Sequence, residues 1–320
     1  RTVNCTDRVV MPGLVDAHVH LVYDGTVDDT VTRDRTDGYL SVRAAEAGLH
    51  VIQDKPMSNR LAECDRVVEA VTRNRVKFLM WNRILLPAVA QARDVVAGGG
   101  IGKPYAFHVD FYFAKDAGPP KGSRGVSDPP LDWLEALKAA HVSGADGGVG
   151  KEPMGELSIE GSYPLAYIAL LSGAKVCRVF ARTGAHFHQL CVDNDVEDLA
   201  TVTLELDSGA VGSLAIGRIG NASHPDIGEI KLHVLGSKGA LVVTEARPEV
   251  GIYYRDQPPE EFKHVRLRTM DNDYALADDF ARAIDTDGET ILDAPTSRAI
   301  TATVAAALES GRTGSVVDVA

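Results

Sequence analysis

The chain has 320 residues, of which 45% are hydrophobic and 24% are charged, as is ordinary for a soluble globular protein. Its formal net charge of -12 repels a polyphosphate backbone, so nucleic-acid binding is not expected. No apolar run approaches the roughly 20 residues of a membrane-spanning helix, so no membrane partner is expected either.

The cysteine pattern and the N-terminus bear on the compartment. The four cysteines are widely spaced and form no C-x-x-C pair of the kind that marks zinc or redox sites. The N-terminus lacks the basic-then-apolar order of a signal peptide. We therefore expect a reduced, cytoplasmic setting. The chain opens on Arg1 and runs directly into a strand-like segment, which predicts that its natural start lies upstream.

The first segment, residues 1–43, contains an apolar, β-branched run that predicts a strand over 9–21. Its core reads Val10-Met11-Pro12-Gly13-Leu14-Val15-Asp16-Ala17-His18-Val19-His20-Leu21. This run resembles the opening strand of the amidohydrolase superfamily, which carries His-x-His after a Pro-Gly-Leu-x-Asp lead. Because side chains alternate along a strand, His18 and His20 share one face and could ligate one divalent metal. A catalytic zinc takes three protein ligands, so we assign no metal site.

Residues 44–103 alternate helices with short strands. Helices are predicted over 36–48, ended by Gly48, from Ser58 to Val71, and over 87–98, and strands over 50–53 and 76–81. Strand, helix, strand, helix with short connections is typical of a parallel sheet with right-handed crossovers. Only about half of a doubly wound domain is predicted here.

From residue 104 onward the pattern changes to successive alternating segments separated by turn signals such as Asp207-Ser208-Gly209. These segments predict strands over 105–113, 176–181, 199–206, 210–216, 230–235 and 240–243. Helices are predicted over 164–171, 274–284 and 296–308, and a Gly/Pro/Ser-rich loop over 117–130. Successive strands of this kind predict a large antiparallel sheet.

Short motifs in a fixed order run from Ala44 to the C-terminus. They are Ala47-Gly48-Leu49-His50-Val51 leading into Asp54-Lys55-Pro56, Asn82-Arg83 before Pro87, Gly100-Ile101-Gly102, Asp207-Ser208-Gly209-Ala210, Leu235-Gly236-Ser237-Lys238-Gly239-Ala240 and Asp279-Phe280-Ala281-Arg282-Ala283-Ile284. This series resembles the Gfo/Idh/MocA oxidoreductase family.

The resemblance implies a combined α/β and α+β architecture. Residues 44–103 would form a truncated doubly wound, Rossmann-like nucleotide domain after the atypical segment 1–43. Residues 104–320 would form a substrate and dimerisation domain with a large, mostly antiparallel open sheet and helices on one face. We expect the last helices to pack back on the nucleotide domain. The family's assembly implies a homodimer or homotetramer through the open sheet.

The tripeptide Asp54-Lys55-Pro56 corresponds to the family's Glu-Lys-Pro hallmark. A strand's carboxyl end in a doubly wound sheet faces the ligand crevice, where proline holds the backbone and lysine projects inward. The resemblance implies that Asp54, Lys55 and Pro56 bind the cofactor, and that Lys55 polarises the substrate hydroxyl. Asn82, just past the next strand, is a candidate to bond the nicotinamide amide. The alternative is an ordinary surface Lys-Pro at a strand end.

Oxidation of an alcohol also needs a proton acceptor within hydrogen-bond reach. Residues 157–166 resemble the family's Leu-x-Asp-x-Gly-x-His-x-x-Asp motif, with Tyr163 at the histidine position. Both aspartates are replaced, and Glu160 lies one residue from the first. A phenol with an ordinary pKa near 10 needs a neighbouring cation to act as a base, and Lys55 is the candidate. The alternative for Tyr163 is core packing.

The phosphate-binding fingerprint of a Rossmann domain is missing from the sequence. The expected order is strand, G-x-G-x-x-G and helix, followed by an acidic residue for the ribose. Neither Gly98-Gly99-Gly100 nor the glycine-rich run 144–151 keeps that spacing, and Glu152 stands where a P-loop requires a hydroxyl. Residues 1–43 are also too few for two βαβ units of roughly 30 residues each.

The sequence therefore predicts an NAD- or NADP-dependent oxidoreductase acting on a sugar, cyclitol or related polyol. Lys55 would polarise the substrate and Tyr163 would relay the proton. One alternative is a catalytically inactive dimeric scaffold or binding protein of the same fold, because the fingerprint and both motif aspartates are absent. A second alternative is a metal-dependent amidohydrolase that uses His18 and His20.

Overall fold

The computed structural model describes residues 14–16, 37–113, 154–187, 191–192, 195–218, 229–245, 248–264 and 269–320. These residues form two sheets with their covering helices. His18, His20, the loop 117–130 and the glycine-rich run 144–151 lie outside the described residues, so the predictions made for them stay predictions.

The smaller sheet has three parallel strands in the order β1-β2-β3. The strands are β1 (Leu14–Asp16), β2 (His50–Gln53) and β3 (Phe78–Met80). Leu14 pairs with His50, and Val51 pairs with Phe78. Three sequential parallel strands amount to one half of a doubly wound sheet. Strand β1 lies within the segment 1–43 and pairs with β2. The predicted segments 1–43 and 44–103 therefore contribute strands to the same sheet.

Helices α1 (Asp37–Glu46), α2 (Leu61–Asn74) and α3 (Pro87–Ala97) connect and follow these strands. Gly48 follows α1 with a φ of 76°, a conformation that glycine adopts without steric cost. Ser58 was predicted to cap α2, but Arg60 occupies the N-cap position. The Ser58 hydroxyl instead accepts from the Arg60 N–H and donates to Glu63, at 3.1 and 2.6 Å, bracing the turn before the helix.

The larger sheet has nine strands in the order β11-β10-β9-β8-β4-β7-β6-β5-β12. They are β4 (Pro104–Phe113), β5 (Val176–Gly184), β6 (Leu199–Leu206), β7 (Val211–Arg218), β8 (Glu229–Gly236), β9 (Gly239–Thr244), β10 (Glu249–Tyr254), β11 (Glu260–Lys263) and β12 (Val317–Asp318). Only β4 and β7 pair in parallel, and the other neighbouring strands are antiparallel.

The sequence prediction missed the last three strands. In β10 the residues 250–252 are buried consecutively, and in β11 all four residues are exposed, so neither strand alternates between apolar and polar residues. β12 has only two residues. Period-two patterning fails where both faces of a strand share one environment, and pairing with a neighbouring strand decides the structure there.

Helices cover one face of the larger sheet. Helix α6 (Thr269–Thr286) lies instead against the smaller sheet, where Phe280 meets the ring edge of His50 in β2. The helices on the larger sheet are α3, α4 (Glu156–Glu160), α5 (Ser162–Ser172) and α7 (Ala294–Thr313). The residues of β4 that face them, Phe107 and Phe111, are fully buried. The opposite face carries Val211, Leu235 and Tyr253, each exposed by more than 40%. The structure confirms the predicted open sheet with helices on one face.

The last helix also contacts the smaller sheet and its helices. Arg298 of α7 pairs with Asp65 of α2 at 2.9 Å, and the Met80 N–H donates to the Leu292 carbonyl at 3.0 Å. Asp293 caps α7 by accepting from the Thr296 N–H at 2.8 Å. This packing joins the two sheets and fixes the carboxyl ends of β2 and β3 against α4 and α5.

Candidate active site

A braced turn at the carboxyl end of β2 holds Lys55. The buried Gln53 amide accepts from the Ser41 hydroxyl at 2.7 Å and donates to the Met57 carbonyl at 2.5 Å, across the Asp54-Lys55-Pro56 turn. The Lys55–Pro56 peptide bond is cis. The turn is therefore tied both to α1 and to itself, which fixes the direction in which the lysine leaves the strand.

Lys55 reaches from the smaller sheet to helix α4. Its Nζ donates to the Ile159 carbonyl at 2.9 Å and to Glu160 Oε2 at 3.0 Å. The Lys55 side chain is 12% exposed and the Glu160 side chain 16%. The alternative of a solvated surface lysine is wrong, because the ammonium lies at the junction between the two sheets, against a carboxylate.

A second cation holds the other oxygen of Glu160. Arg218, the last residue of β7, approaches Glu160 Oε1 at 3.3 Å and donates from Nε to Glu156 Oε2 at 2.5 Å. Two cations and two carboxylates thus alternate as Lys55, Glu160, Arg218 and Glu156. Sequence reasoning missed Arg218 and Glu156, because residues this distant in sequence leave no local pattern.

The environments of the two carboxylates separate their pKa values. Burial raises the pKa of Glu156 to about 7, with Arg218 opposing that rise. Burial also acts to raise the pKa of Glu160, but Lys55 and Arg218 outweigh it and the pKa is lowered. Glu160 is consequently ionised near neutrality, while Glu156 titrates there.

The N-terminus of α4 is anchored by Glu197. The Leu157 N–H donates to Glu197 Oε1 at 2.9 Å, and the Glu156 N–H donates to the Glu197 carbonyl at 2.9 Å. Gly155 precedes the helix because a Cβ there would collide with the Glu197 carboxylate. Burial raises the pKa of Glu197 to about 7. This anchoring sets the orientation of α4, and with it the position of Glu160.

Tyr163 lies in the first turn of α5 and is 6% exposed. Lys55 Nζ lies 4.8 Å and Arg83 Cζ 5.2 Å from its ring centroid, within cation–π range. Phe111 stacks on the ring with centroids 6.2 Å apart, and Trp81 meets its edge at 6.4 Å. The ring therefore contacts both cations that project from the smaller sheet.

The expectation that Lys55 lowers the pKa of the Tyr163 phenol is wrong. Burial, and then the charge of Glu160, raise that pKa well above 10. The reason is geometric, because the ammonium lies over the ring face and is paired with Glu160. The phenol therefore keeps its proton near neutral pH, and a catalytic role for Tyr163 stays a prediction.

Asn82 is fully buried just past β3. Its amide donates to the Ser162 carbonyl at 3.3 Å and accepts from the Arg83 N–H at 2.8 Å. The amide nitrogen thus ties the β3 end to α5, the amide oxygen braces the turn that follows β3, and a contact with nicotinamide stays a prediction. Arg83 forms an ion pair with Glu245, which also accepts from the Tyr167 hydroxyl at 3.0 Å.

The described residues fit one end of a dinucleotide. The carboxyl ends of β2 and β3 carry Lys55 and Asn82 at the edge where a doubly wound sheet binds its ligand. Within the described ranges there is no glycine-rich cradle for a pyrophosphate. The same residues hold no group of three or more potential metal ligands and no helix long and apolar enough to cross a membrane.

Half of a doubly wound sheet joined to a large open sheet, with a lysine delivered between them, defines an α/β protein of the doubly wound, nucleotide-binding class. Residues 150–319 match the family model described as "Oxidoreductase family, C-terminal alpha/beta domain". Residues 27–82 match its companion, "Oxidoreductase family, NAD-binding Rossmann fold". The chain belongs to the Gfo/Idh/MocA oxidoreductase family. The second match begins at residue 27, inside the segment that resembles an amidohydrolase.

Curated relatives include sugar and inositol dehydrogenases. Myo-inositol 2-dehydrogenase of Thermotoga maritima is 27% identical over an alignment of 240 residues that covers 72% of this chain and 60% of that protein. Levoglucosan dehydrogenase of Pseudarthrobacter phenanthrenivorans is 27% identical over an alignment of 251 residues that covers 75% of this chain and 59% of that protein. The chain spans about 60% of the length of these relatives.

Solved structures share the fold. An NAD binding oxidoreductase from Klebsiella pneumoniae superposes with a TM-score of 0.72 at 20% identity, covering 88% of this chain and 77% of the other. An inositol dehydrogenase homolog from Azotobacter vinelandii, complexed with NADH and myo-inositol, superposes with a TM-score of 0.68 at 18% identity, covering 88% and 74%. These likenesses establish the two-sheet architecture.

Proposed function

We propose that this protein is an NAD- or NADP-dependent oxidoreductase that transfers a hydride between the nicotinamide and a sugar, cyclitol or related polyol. The observation that carries the proposal is the delivery of the Lys55 ammonium from the carboxyl end of β2 to the junction with α4. Family membership and the named activities of the relatives support it.

Lys55 binds and polarises the substrate oxygen in this proposal. A partly buried ammonium stabilises negative charge on that oxygen more than water does, because the surrounding dielectric is low. The bound dinucleotide supplies the hydride acceptor. Asp54 and Pro56 shape the turn beneath it, Asn82 holds the β3 end in place, and Tyr163 positions the two cations.

The test is cofactor binding followed by turnover. NADH and NADPH are titrated by nicotinamide fluorescence, and reduction of NAD⁺ or NADP⁺ is followed with myo-inositol, scyllo-inositol and levoglucosan. We expect Lys55→Ala to lower kcat/KM by at least about 100-fold, since it removes an electrostatic contact to the reacting oxygen. Lys103→Ala is the matched control, because Lys103 is an exposed lysine just before β4.

Two results would count against the proposal. Absence of binding at millimolar dinucleotide would leave the fold without this reaction and would favour an inactive scaffold or binding protein. Turnover that survives in Lys55→Ala would remove the assigned role of the lysine.

Measurable turnover that disappears in Lys55→Ala excludes the inactive scaffold. Elemental analysis without stoichiometric zinc, iron or manganese excludes the metal-dependent hydrolase.

The proposed assembly is a homodimer or homotetramer through the open face of the larger sheet. Val211, Leu235 and Tyr253 are each more than 40% exposed there, an apolar row that a second copy would cover. A reduced, cytoplasmic setting accompanies this proposal. Among the described residues Cys64, Cys177 and Cys191 are free, which is compatible with such a setting.

A further inference from the structure

We propose that Glu160 is the proton acceptor of the reaction and that Arg218 positions it. This inference rests on the proposed function and names the group that takes the hydroxyl proton. The role falls to a carboxylate one residue beyond the motif position, in place of the phenol of Tyr163.

The geometry at Lys55 supports this assignment. Glu160 Oε2 lies 3.0 Å from Lys55 Nζ. A substrate hydroxyl that hydrogen-bonds to the Lys55 ammonium therefore lies next to the Glu160 carboxylate. Both side chains retain some exposure, 12% for Lys55 and 16% for Glu160, which leaves them within reach of a bound molecule. Glu156 is 2% exposed, so the substrate reaches Glu160 first.

The backbone of α4 explains how residue 160 takes over from residue 159. The Ile159 carbonyl and the Glu160 carboxylate both accept from Lys55 Nζ. Helix α4 ends at Glu160, and Gly161 follows because a Cβ there would collide with the Leu157 carbonyl. At the end of the helix, the side chain of Glu160, which is longer than that of an aspartate, therefore reaches the lysine. No aspartate at residue 159 is needed.

The charges around Glu160 keep it ionised, which is the protonation state that a proton acceptor needs. Lys55 comes from the β2 turn, Arg218 from the end of β7 and Arg83 from beyond β3, and all three favour the carboxylate. Glu156 on the same helix and Tyr163 on α5 are the other titratable groups nearby. Because the pKa of Tyr163 is raised well above 10, the phenol keeps its proton where Glu160 is ionised.

The chemical step balances as follows. The O–H bond of the alcohol breaks and its proton passes to the Glu160 carboxylate. The C–H bond breaks, its electron pair leaves with the hydride to the nicotinamide oxidant, and the C–O bond becomes a carbonyl. The substrate loses two electrons and the dinucleotide gains them. Lys55 stabilises the charge that develops on oxygen, and Glu160 later releases the proton to solvent.

The experiment compares Glu160→Gln with Tyr163→Phe. Removing a general base lowers the rate by about 10² to 10⁴-fold. We expect that loss in kcat for Glu160→Gln, with the Kd for NADH within about threefold of the unaltered protein. Tyr163→Phe retains the ring that Lys55 and Arg83 contact, and we expect its kcat to fall less than about tenfold. Glu205→Gln is the control, because that carboxylate is half exposed on β6.

Three further readouts separate proton transfer from structure. Between pH 8 and 9.5 we expect kcat/KM of the unaltered protein to stay level, whereas a phenol base gives a rise of about tenfold per pH unit. Sodium formate should restore part of the activity of Glu160→Ala. Arg218→Lys keeps the positive charge but loses the planar guanidinium that contacts both Glu156 and Glu160. Because Glu160 is then positioned less well, kcat should fall while KM changes little.

Each outcome decides between the assignments. A larger loss in Tyr163→Phe than in Glu160→Gln, or a steady rise in rate with pH, overturns the inference and leaves the proposed function intact. If Glu160→Gln fails to fold, Glu160→Asp and formate rescue decide, and absence of rescue overturns it. No dinucleotide binding and no turnover in the unaltered protein overturn the proposed function, and this inference with it.

Discussion

Two buried carboxylates, Glu156 and Glu197, make the folding stability of the protein depend on pH. Glu156 and Glu197 are both nearly inaccessible, and burial raises the pKa of each to about 7. In the unfolded chain the same groups titrate near 4.5. The folded protein therefore binds more protons than the unfolded chain between these values, so stability falls as the pH rises from about 4.5 to 7.

Replacing Glu197 by glutamine should remove part of this slope. The neutral amide still accepts from the Leu157 N–H but does not ionise. At pH 8 we expect Glu197→Gln to raise the free energy of unfolding, by up to about 3 kcal/mol from the shifted pKa. Urea unfolding at pH 5 and pH 8 measures the effect, with Glu205→Gln as control. A variant as pH-dependent as the unaltered protein would assign the slope to other groups.

At the scale of elements, the α7 helix joins the two sheets and its cap is a defined contact. The Asp293 side chain accepts from the Thr296 N–H at 2.8 Å. An unsatisfied helix N-terminus costs stability because its first N–H groups have no partners within the helix. Since α7 packs on both β5 and α2, fraying of its first turn weakens both sheets.

We expect Asp293→Ala to lower the free energy of unfolding by about 1 kcal/mol, within the range of measured N-cap losses. Asp293→Asn should recover most of it, because its amide oxygen also caps. Asp256→Ala, at an exposed turn between β10 and β11, is the control and should change stability by less than about 0.5 kcal/mol. Equal losses in the two alanine variants would show that the cap contributes nothing.

At the scale of the whole molecule, the larger sheet leaves one face uncovered, and the proposed assembly uses this face. Asp110 and Lys231 pair across β4 and β8 on this face, two residues along each strand from the His108–His233 pair. Beside these polar groups runs the apolar row of Val211, Leu235 and Tyr253. An apolar row with both signs of charge beside it suits pairing of identical faces, as a two-fold interface requires.

Leu235→Lys should shift the protein from the assembled state to the monomer, because the dimer would then bury unpaired like charges. Light scattering after size-exclusion chromatography measures the mass. Val316→Lys is the matched control, since Val316 is 59% exposed but lies outside the open face, just before β12. A monomeric unaltered protein, or assembly unchanged in Leu235→Lys, would exclude this face as the contact.

Particular residues show how far local sequence information reached. Strand β2, helix α3 and the lysine after β2 followed from periodicity, from proline and glycine positions and from the family hallmark, all of which are local signals. The sheet was predicted open on one face because its strands alternate. The capping of α2 by Ser58 was mispredicted, since the same hydroxyl can brace the turn one step earlier.

The sequence by itself determined the family, the order of the elements and the lysine that reaches the junction between the sheets. Only the tertiary structure decided what that lysine meets. Lys55 and Glu160 lie 105 residues apart in the chain, and Arg218 comes from a third element. Such contacts depend on how strands and helices are brought together, so no local pattern encodes them. The same packing buried the phenol of Tyr163 and raised its pKa well above 10.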